Sequence, residues 1–347
     1  MGNTSIGVDI GSRTITVAEL KGSRGRTTIS NFGGLELPGD TVREGEVIDV
    51  PGTAAAIKEL MNSAGIKGKK VWLGVANQRV VVRQVDLPWV EEKELKASLR
   101  YQVQDFIPIP VEEAELDVHV VEEYVNDAGD RFRRMLLVAA HRDSVNAHVE
   151  AARQAGLKPV GVDLNSFAVL RAIGNTDTMQ PGDEVIVDVG ADVTNIVVHR
   201  GTQPTFVRIL VMGGDDITDA LESGLGVPRD QAEAAKRSAL VGAEGDVTSR
   251  IVTERADSFI DEIRSSLDYF QAQTGDVQLA SVILTGGGAS LQGLADRLAA
   301  QLRLPVDVGN PFPRFEVQNS VYSDEDLAKV GPSMTTAIGL AMGGLEE

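Results

Sequence analysis

An aspartate set in an apolar strand and followed two residues later by glycine occurs twice in this chain at one spacing. No other feature constrains the fold as much. The first copy lies in residues 6–20, IGVDIGSRTITVAEL, and the second in residues 184–210, EVIVDVGADVTNIVVHRGTQPTFVRIL. Asp188 with Gly190 stands 179 residues after Asp9 with Gly11, and Gly201, in the turn after the next strand, stands 179 after Gly22. Two features sharing one offset predict a duplicated β-meander, and so long a period implies two related lobes rather than a stacked array.

The chemistry follows from where the glycine sits. Ile6, Val8 and Ile10 alternate before it and Ile15 and Val17 after it, so Gly11 and Ser12 form a turn between two strands. Rossmann and Walker loops place glycine between a strand and a helix, and neither GxGxxG nor GxxxxGK[ST] occurs here. A tight β-turn can still aim successive N–H groups at an anion. Gly11 lets a phosphate approach the backbone and Ser12 adds a hydroxyl. Asp9 would repel that phosphate unless a hard cation lay between them, a role that suits Mg²⁺. Taken alone, each Asp-Gly pair also fits a strand end whose carboxylate accepts turn N–H groups. Two such turns facing across a cleft can clamp a polyphosphate from both sides, with Ala191 and Thr194 completing the second. The run TGGGASLQGLADRL, residues 285–298, is a strand-to-helix turn that is either simply flexible or lets a flat ring or ribose lie against bare backbone.

Between these landmarks the pattern predicts a helix over 50–66, begun by Pro51 and Thr53 and ended by Gly65, then strands over 69–76 and 80–88. A helix follows with Leu95, Leu99, Val103 and Phe106 on one face, stopped by IPIP. Strands over 115–125 and 133–140, joined by the turn NDAGDR, and a helix over 142–155 complete a block that reads as an insertion. KGSRGR is a second turn in the opening meander; residues 215–224, 229–241 and 247–274 are helical, and VGPSMTTAIGLAMGG reads as a helix of small residues.

Composition narrows the function. The chain has 347 residues, enough for two domains, and no cysteine, which excludes disulfides, thiolate metal sites and cysteine nucleophiles. His119, His141, His148 and His199 show no ligand spacing. A net charge of −18 opposes binding to nucleic acid or to an anionic lipid surface. No apolar run approaches the ~18 residues of a membrane span, the N-terminus lacks a signal-peptide layout, and Ile6 stands where a myristoylation motif needs Ser or Thr. The expectation is a cytoplasmic protein that reaches a membrane only through a partner.

The two Asp-Gly hairpins, the TGGGA turn and the small-residue C-terminal helix, in that order, resemble the actin-like ATPase family, whose superfamily also holds sugar kinases and heat-shock chaperone ATPases. More narrowly, VDIGSRTITVAEL, ELKASLRYQVQDFIPIPVEEAELDV, GVDLNSFAVLRA and ILTGGGASLQGLADRL together resemble the PilM family of type IV pilus assembly proteins. The resemblance implies an α/β, actin-like ATPase fold: duplicated ribonuclease H-like lobes with an inserted small α+β subdomain. Lobe 1 (1A-like) would hold 1–86, 156–180 and 332–347, and the insertion (1C/SHS2-like) 87–155. Lobe 2 (2A-like) would hold 181–217 and 269–331, with 218–268 as a helical 2B-like subdomain.

It also implies ATP and Mg²⁺ as ligands. Asp9 and Asp188 would stand at the metal, Gly11, Ser12 and Arg13 in the first phosphate turn, and Gly190, Ala191 and Thr194 in the second. Gly213, Gly214 and Asp215 would lie near sugar and phosphates, Gly286, Gly287 and Gly288 at the adenosine, and Glu233 with Lys236 at ribose and base. Read from spacing alone, Glu233 and Lys236 are equally a surface ion pair, and Arg13 equally points into water. Asp163 falls where a polar residue orients the attacking water, with Asn165 and Ser166 as competitors and a helix cap as its plain alternative. FtsA-like relatives end in a basic amphipathic membrane helix, whereas this chain ends AMGGLEE. The function implied is an ATP-binding scaffold of the pilus inner-membrane assembly complex, with slow or no hydrolysis. It would bind the cytoplasmic N-terminal tail of a PilN-like membrane protein, and other pilus proteins, in a groove beside the inserted subdomain. The alternatives are a polymerising cytoskeletal actin and a small-molecule kinase.

Overall fold

A computed structural model describes residues 3–23, 26–175, 182–243, 245–275, 277–318 and 322–346. The chain opens with strands β1 (Asn3–Ile10), β2 (Thr14–Ser23) and β3 (Arg26–Glu36) and a small hairpin, β4 (Val42–Arg43) and β5 (Glu46–Val47). Helix α1 (Val50–Ser63), β6 (Lys70–Val75), β7 (Val80–Pro88), α2 (Glu92–Gln102), β8 (Ala114–Val125), β9 (Arg131–His141), α3 (Arg142–Gln154), β10 (Lys158–Leu164) and α4 (Asn165–Ile173) follow. The second half runs β11 (Asp183–Val189), β12 (Thr194–Arg200), β13 (Gln203–Leu210), α5 (Gly214–Leu225), α6 (Arg229–Ser238) and α7 (Val247–Thr274). It closes with β14 (Leu279–Thr285), α8 (Leu294–Leu302), β15 (Val306–Val308), β16 (Glu316–Val317) and α9 (Asp324–Glu346).

Two mixed sheets carry the duplication. One has the order β10-β6-β1-β2-β3-β16 and the other β13-β12-β11-β14-β15. In each, an antiparallel meander has a later strand laid parallel to its first: β6 beside β1, and β14 beside β11. The registers repeat residue for residue. Asp9 lies opposite Thr16 and Asp188 opposite Asn195, each pair 179 apart from its copy. The turns match as well, Gly11 N donating to Thr14 O at 3.1 Å and Gly190 N to Val193 O at 2.9 Å. The Gly22–Gly201 correspondence does not hold. Gly22 lies inside β2, opposite Asn3, while Gly201 is a turn residue at φ +60°. β2 has ten residues against seven in β12, which carries its hairpin further. The tip of the KGSRGR turn, Arg24-Gly25, lies outside the described residues.

Local chemistry sets the helix ends. Asp49 caps α1 by accepting from Gly52 N at 3.0 Å, with Pro51 in the first turn, and Gly65 leaves the helix at φ +69°. Ile57, Leu60 and Met61 on its inner face pack on β1 and β2 through Ile6, Val8 and Val17. α4 and α9 form the layer between the lobes, joining Ala18, Leu20 and Ile29 of the first sheet to Ile186, Val197 and Val207 of the second. The contacts there are close. A Cβ on Gly7 would meet Ala341 N at 2.6 Å, and one on Gly339 would strike the carbonyl of Ala168. Gly339→Ala is therefore expected to force α9 off α4 at a cost of about 1–3 kcal/mol, read as a lower urea midpoint with an unchanged slope; an unaltered midpoint would contradict this packing.

Three expectations about the insertion and its borders change. β7 pairs along its whole length with β9 in a separate sheet, β7-β9-β8, so the inserted unit starts at Val80, not at 87. α3, assigned to the insertion in 87–155, instead buries Ala151 and Ala152 in the first lobe's core with α1, so the insertion ends near His141. β16 joins the first sheet beside β3, and α9 begins at Asp324, so the chain returns to lobe 1 well before 332. The 180/181 border lies outside the described residues. α2 covers one face of the inserted sheet with Leu95, Leu99 and Val103. It stops at Gln102, a 3₁₀ turn follows, and Phe106 is thereby rotated out to 37% exposure rather than continuing that face. The sheet's other face meets α4 and lobe 2: Val80, Val82 and Val138 pack with Phe167 and Ile209, and His119 Nε2 lies 3.0 Å from Gln203 Oε1. Among the described residues, no helix is long and apolar enough to cross a membrane.

Candidate functional site

Both Asp-Gly turns open onto one cavity of about 880 Å³ between the sheets. Its walls are the two hairpins, the start of α5, one side of α6, part of α7 and the glycine turn after β14. Of the residues expected from sequence, Asp9, Gly11, Ser12, Arg13, Asp188, Gly190, Ala191, Gly213, Gly214, Asp215, Glu233, Lys236, Gly286, Gly287 and Gly288 all line it. Asp163 and Thr194 do not.

The two carboxylates at its centre are held in an uncomfortable state. Burial, and then the charge of Asp188, push Asp9 up to about 7 against the hydrogen bond from Asn165 Nδ2 to Oδ1 at 3.1 Å. Burial pushes Asp188 up to about 6, opposed by Asn195 Nδ2 donating to Oδ2 at 3.1 Å. Two desolvated like charges facing one space want a cation. Among the described residues no group of three or more acidic or histidine side chains could hold one alone. That donor set fits a magnesium ion completed by phosphate oxygens and water.

Thr194 fails by one residue of strand parity. Its hydroxyl donates to Met212 O at 2.8 Å on the far side of the strand, while Asn195 faces Asp188. Asp163 is drawn away from the cavity: its Oδ1 accepts from Leu164 N at 2.8 Å and its Oδ2 pairs with Arg171 at 2.9 Å. It caps nothing either, since α4 has no side-chain cap. Asn165, the competitor, lines the cavity and touches Asp9.

The glycines at the start of α5 act through packing. Gly214 N donates to Gly190 O at 3.0 Å and Asp215 N to Ala191 O at 2.9 Å, so these amides fasten the second turn. A Cβ on Gly213 would collide with the carbonyls of Gly190 and Ala191. Across the mouth, Arg13 Nε meets Asp215 Oδ2 at 2.6 Å, and Arg229, unmarked by the sequence reading, meets the same oxygen at 2.7 Å. Asp192 was also missed. Burial raises it, and its neighbours are the Glu44 amide, Ser12 and Asp215. Deeper in, Lys236 Nζ donates to Gly214 O at 3.0 Å and pairs with Glu233 at 2.6 Å. Burial works against ionised Glu233, but hydrogen bonds from Lys236, Thr218 and Arg237 take it down to about 2. Phe259, Leu291 and Leu294 supply the apolar part of that end. The missed Asn195 carried a signal: Thr16, opposite Asp9, maps onto it at the same offset of 179.

Twin meanders with paired carboxylate turns around one cleft define an actin-like ATPase fold. MreB5 of Spiroplasma citri bound to ADP superposes with a TM-score of 0.51 at 11% identity over 99% of this chain and 95% of that one. The chain belongs to the type IV pilus assembly protein PilM family, whose family model matches residues 7–345. A PilM-PilN type IV pilus biogenesis complex contains a chain with TM-score 0.87 and 27% identity, covering 99% of both chains. Cell division protein FtsA of Pseudomonas aeruginosa is 22% identical over 100% of this chain and 90% of its own length. FtsA of Neisseria meningitidis is 25% identical over 89% and 83%.

Proposed function

We propose that this chain is an ATP-binding, actin-like scaffold of the type IV pilus assembly machinery. The carrying observation is the pair of carboxylates, Asp9 and Asp188, raised in pKa and turned into one interlobe cavity. In this reading Asp9 and Asp188 hold Mg²⁺ through water and phosphate. The turns at Gly11, Ser12 and Arg13 and at Gly190 and Ala191 receive the phosphates, and Asp215, Glu233, Lys236 and Gly286 to Gly288 surround the nucleoside. The bound Mg-ATP supplies a polyphosphate that bridges the lobes, and its hydrolysis is slow. In this reading the amide of Asn165, beside Asp9, is the water-orienting group, and an amide cannot take a proton as a general base. Asp163, which could, is bound to Arg171.

The partner is proposed to be the cytoplasmic N-terminal tail of a PilN-like protein, seated between lobe 1 and the inserted sheet, as peptide recognition in a groove. Other pilus assembly proteins would gather on the same scaffold. The chain would then sit in the cytoplasm at the inner membrane through that partner. The similarity to the PilM chain of a PilM-PilN complex supports this. In calorimetry, a peptide of the PilN N-terminus should bind the full chain, and Mg-ATP should change its affinity. Single-turnover hydrolysis without peptide should stay well below the ~10 s⁻¹ of a typical enzyme. Turnover at enzymatic speed, or no peptide binding at any nucleotide state, would refute the scaffold reading.

A further inference from the structure

The inserted sheet is rooted in lobe 1 at two places, the β6–β7 connection and the β9–α3 junction. Both roots are knotted together by Asn77, which is fully buried. Its Nδ2 donates to Ser144 Oγ at 2.8 Å, at the start of α3, and its Oδ1 accepts from Arg79 N at 2.9 Å, at the foot of β7. His141 N, at the end of β9, donates to Arg79 O at 3.2 Å. The same knot reaches the cleft. Asn77 Nδ2 also approaches Gly45 O at 3.5 Å, and Gln78 Nε2 donates to Glu44 Oε2 at 2.8 Å. Gly45 N donates to Ser12 Oγ at 3.4 Å, in the first phosphate turn. Glu44 N donates to Asp192 Oδ2 at 3.0 Å, in the second turn and on the other lobe.

The strained part of this path is the 43–45 turn. Glu44 holds φ +50° without being glycine, and a Cβ on Gly45 would strike the carbonyl of Ala76. A residue is kept in that conformation only when its surroundings determine it. Here they do so from three sides: lobe 2, the first turn and the roots of the insertion. Lobe 2 also meets the first turn through Asp215 and Arg13 and the inserted sheet through Gln203 and His119. The 43–45 turn, however, joins lobe 2, the first turn and the roots at one place, and Arg43, Glu44 and Gly45 carry no core side chain that would need it there.

We propose that the 43–45 turn is a strap that transmits the opening and closing of the cleft to the orientation of the inserted sheet. When Asp192 moves with lobe 2, it pulls the Glu44 amide, and the displacement passes through Gly45 and Asn77 to both roots at once. The proposal rests on the nucleotide reading for its natural trigger and deepens it by naming the route by which the cleft regulates the partner groove.

Coupling of this kind is reciprocal, so it can be tested without nucleotide. Hydrogen exchange is followed in the full chain at the amides of Glu44, Gly45, Arg79 and His141. Asp192→Ala should raise exchange at Arg79 and His141 at least about fivefold, the low end of ordinary coupling, with amides of α7 and β14 unchanged. Asn77→Ala should raise exchange at Glu44 and Gly45 in return. Should that buried change prevent folding, Gln78→Ala, on the surface, should act in the same direction by a smaller factor. Unchanged exchange at both roots in Asp192→Ala overturns the strap. A second arm adds Mg-ATP to the wild type. Coupled exchange in the apo variants with no effect of Mg-ATP on wild-type exchange or melting would leave the strap standing and defeat only the nucleotide reading, because the apo measurements do not depend on it.

Discussion

Asp188→Asn yields a protein that is more stable than the wild type without nucleotide and unresponsive to Mg-ATP. Asparagine keeps the shape and still offers an oxygen to Asn195 Nδ2, which now donates to Asp188 at 3.1 Å. What it removes is a buried negative charge facing that of Asp9. With the native pKa near 6 against an ordinary 3.8, the ionised form at pH 8 costs about 2–3 kcal/mol, at 1.36 kcal/mol for each unit. The same linkage fixes the pH dependence. Asp9 and Asp188 titrate at about 7 and about 6 in the folded protein and near 3.8 when unfolded. Between those values the folded state binds more protons. Their contribution to stability is therefore most favourable below about pH 4 and is lost as pH rises to 7. The advantage of Asp188→Asn over wild type should be clear at pH 8 and nearly gone at pH 4, measured by urea unfolding. Nucleotide cancels most of this advantage. A ligand at a hundred times its Kd stabilises the wild type by about 2.7 kcal/mol, and the variant should show almost none of this. A variant that is less stable at pH 8, or that still shifts with Mg-ATP, rules out the carboxylate clamp.

The glycine turn separates two effects that are usually confounded. Gly286 sits at φ +83°, and a Cβ there would meet Val189 O and, at 2.7 Å, Asp188 Oδ1. At ψ 173° this is the extended positive-φ region that only glycine adopts readily, and Gly286→Ala should cost about 1–3 kcal/mol in backbone strain alone. By displacing the metal-side carboxylate it should also weaken Mg-ATP binding by about 100-fold or more, equivalent to about 2.8 kcal/mol. Gly287 has nothing within 4 Å of its Cβ position and lines the same cavity. Gly287→Ala should leave stability within about 0.5 kcal/mol of wild type and still lower nucleotide affinity, because a ring or ribose bound as proposed would fill that space. Equal affinities for wild type and Gly287→Ala would show that the adenosine does not lie against this turn.

How far the sequence reached is clearest in the residues it got nearly right. The paired hairpins were legible because a buried carboxylate in an apolar strand is rare, and because an offset shared by two copies is hard to produce by accident. The same offset, applied to Thr16, leads to Asn195; the choice of Thr194 ignored that alternate strand residues face opposite sides of the sheet. Asp163 illustrates a different limit. It lies two residues from Asn165, and tertiary contacts, Asp163 with Arg171 and Asn165 with Asp9, decide which of the two turns to the cleft. The borders of the insertion were hidden for a third reason. β7 reads as a good strand for either sheet, and its pairing with β9, some fifty positions away, is a tertiary choice. α3 has an apolar stripe that any neighbour could cover, and α1 happens to be that neighbour. Arg229 and Asp192 gave no signal, because surface charge is common: Arg229 finds Asp215 only once α6 packs on α5, and Asp192 finds Glu44 and Ser12 only once the lobes meet.

The close seat of α9 on β1 has a consequence for how the protein is made. Gly7 leaves the ribosome more than 300 residues before the backbone it needs against it, at Ala337 and Ala341. Until then the opening sheet emerges with one apolar face bare, including Ala18, Leu20 and Ile29. A contact between residues more than 300 positions apart is slow to find, and uncovered strands are prone to self-association in the interval. Folding of the first lobe during synthesis must wait for α9, and protection of the nascent chain by a chaperone should matter more for this half than for the second.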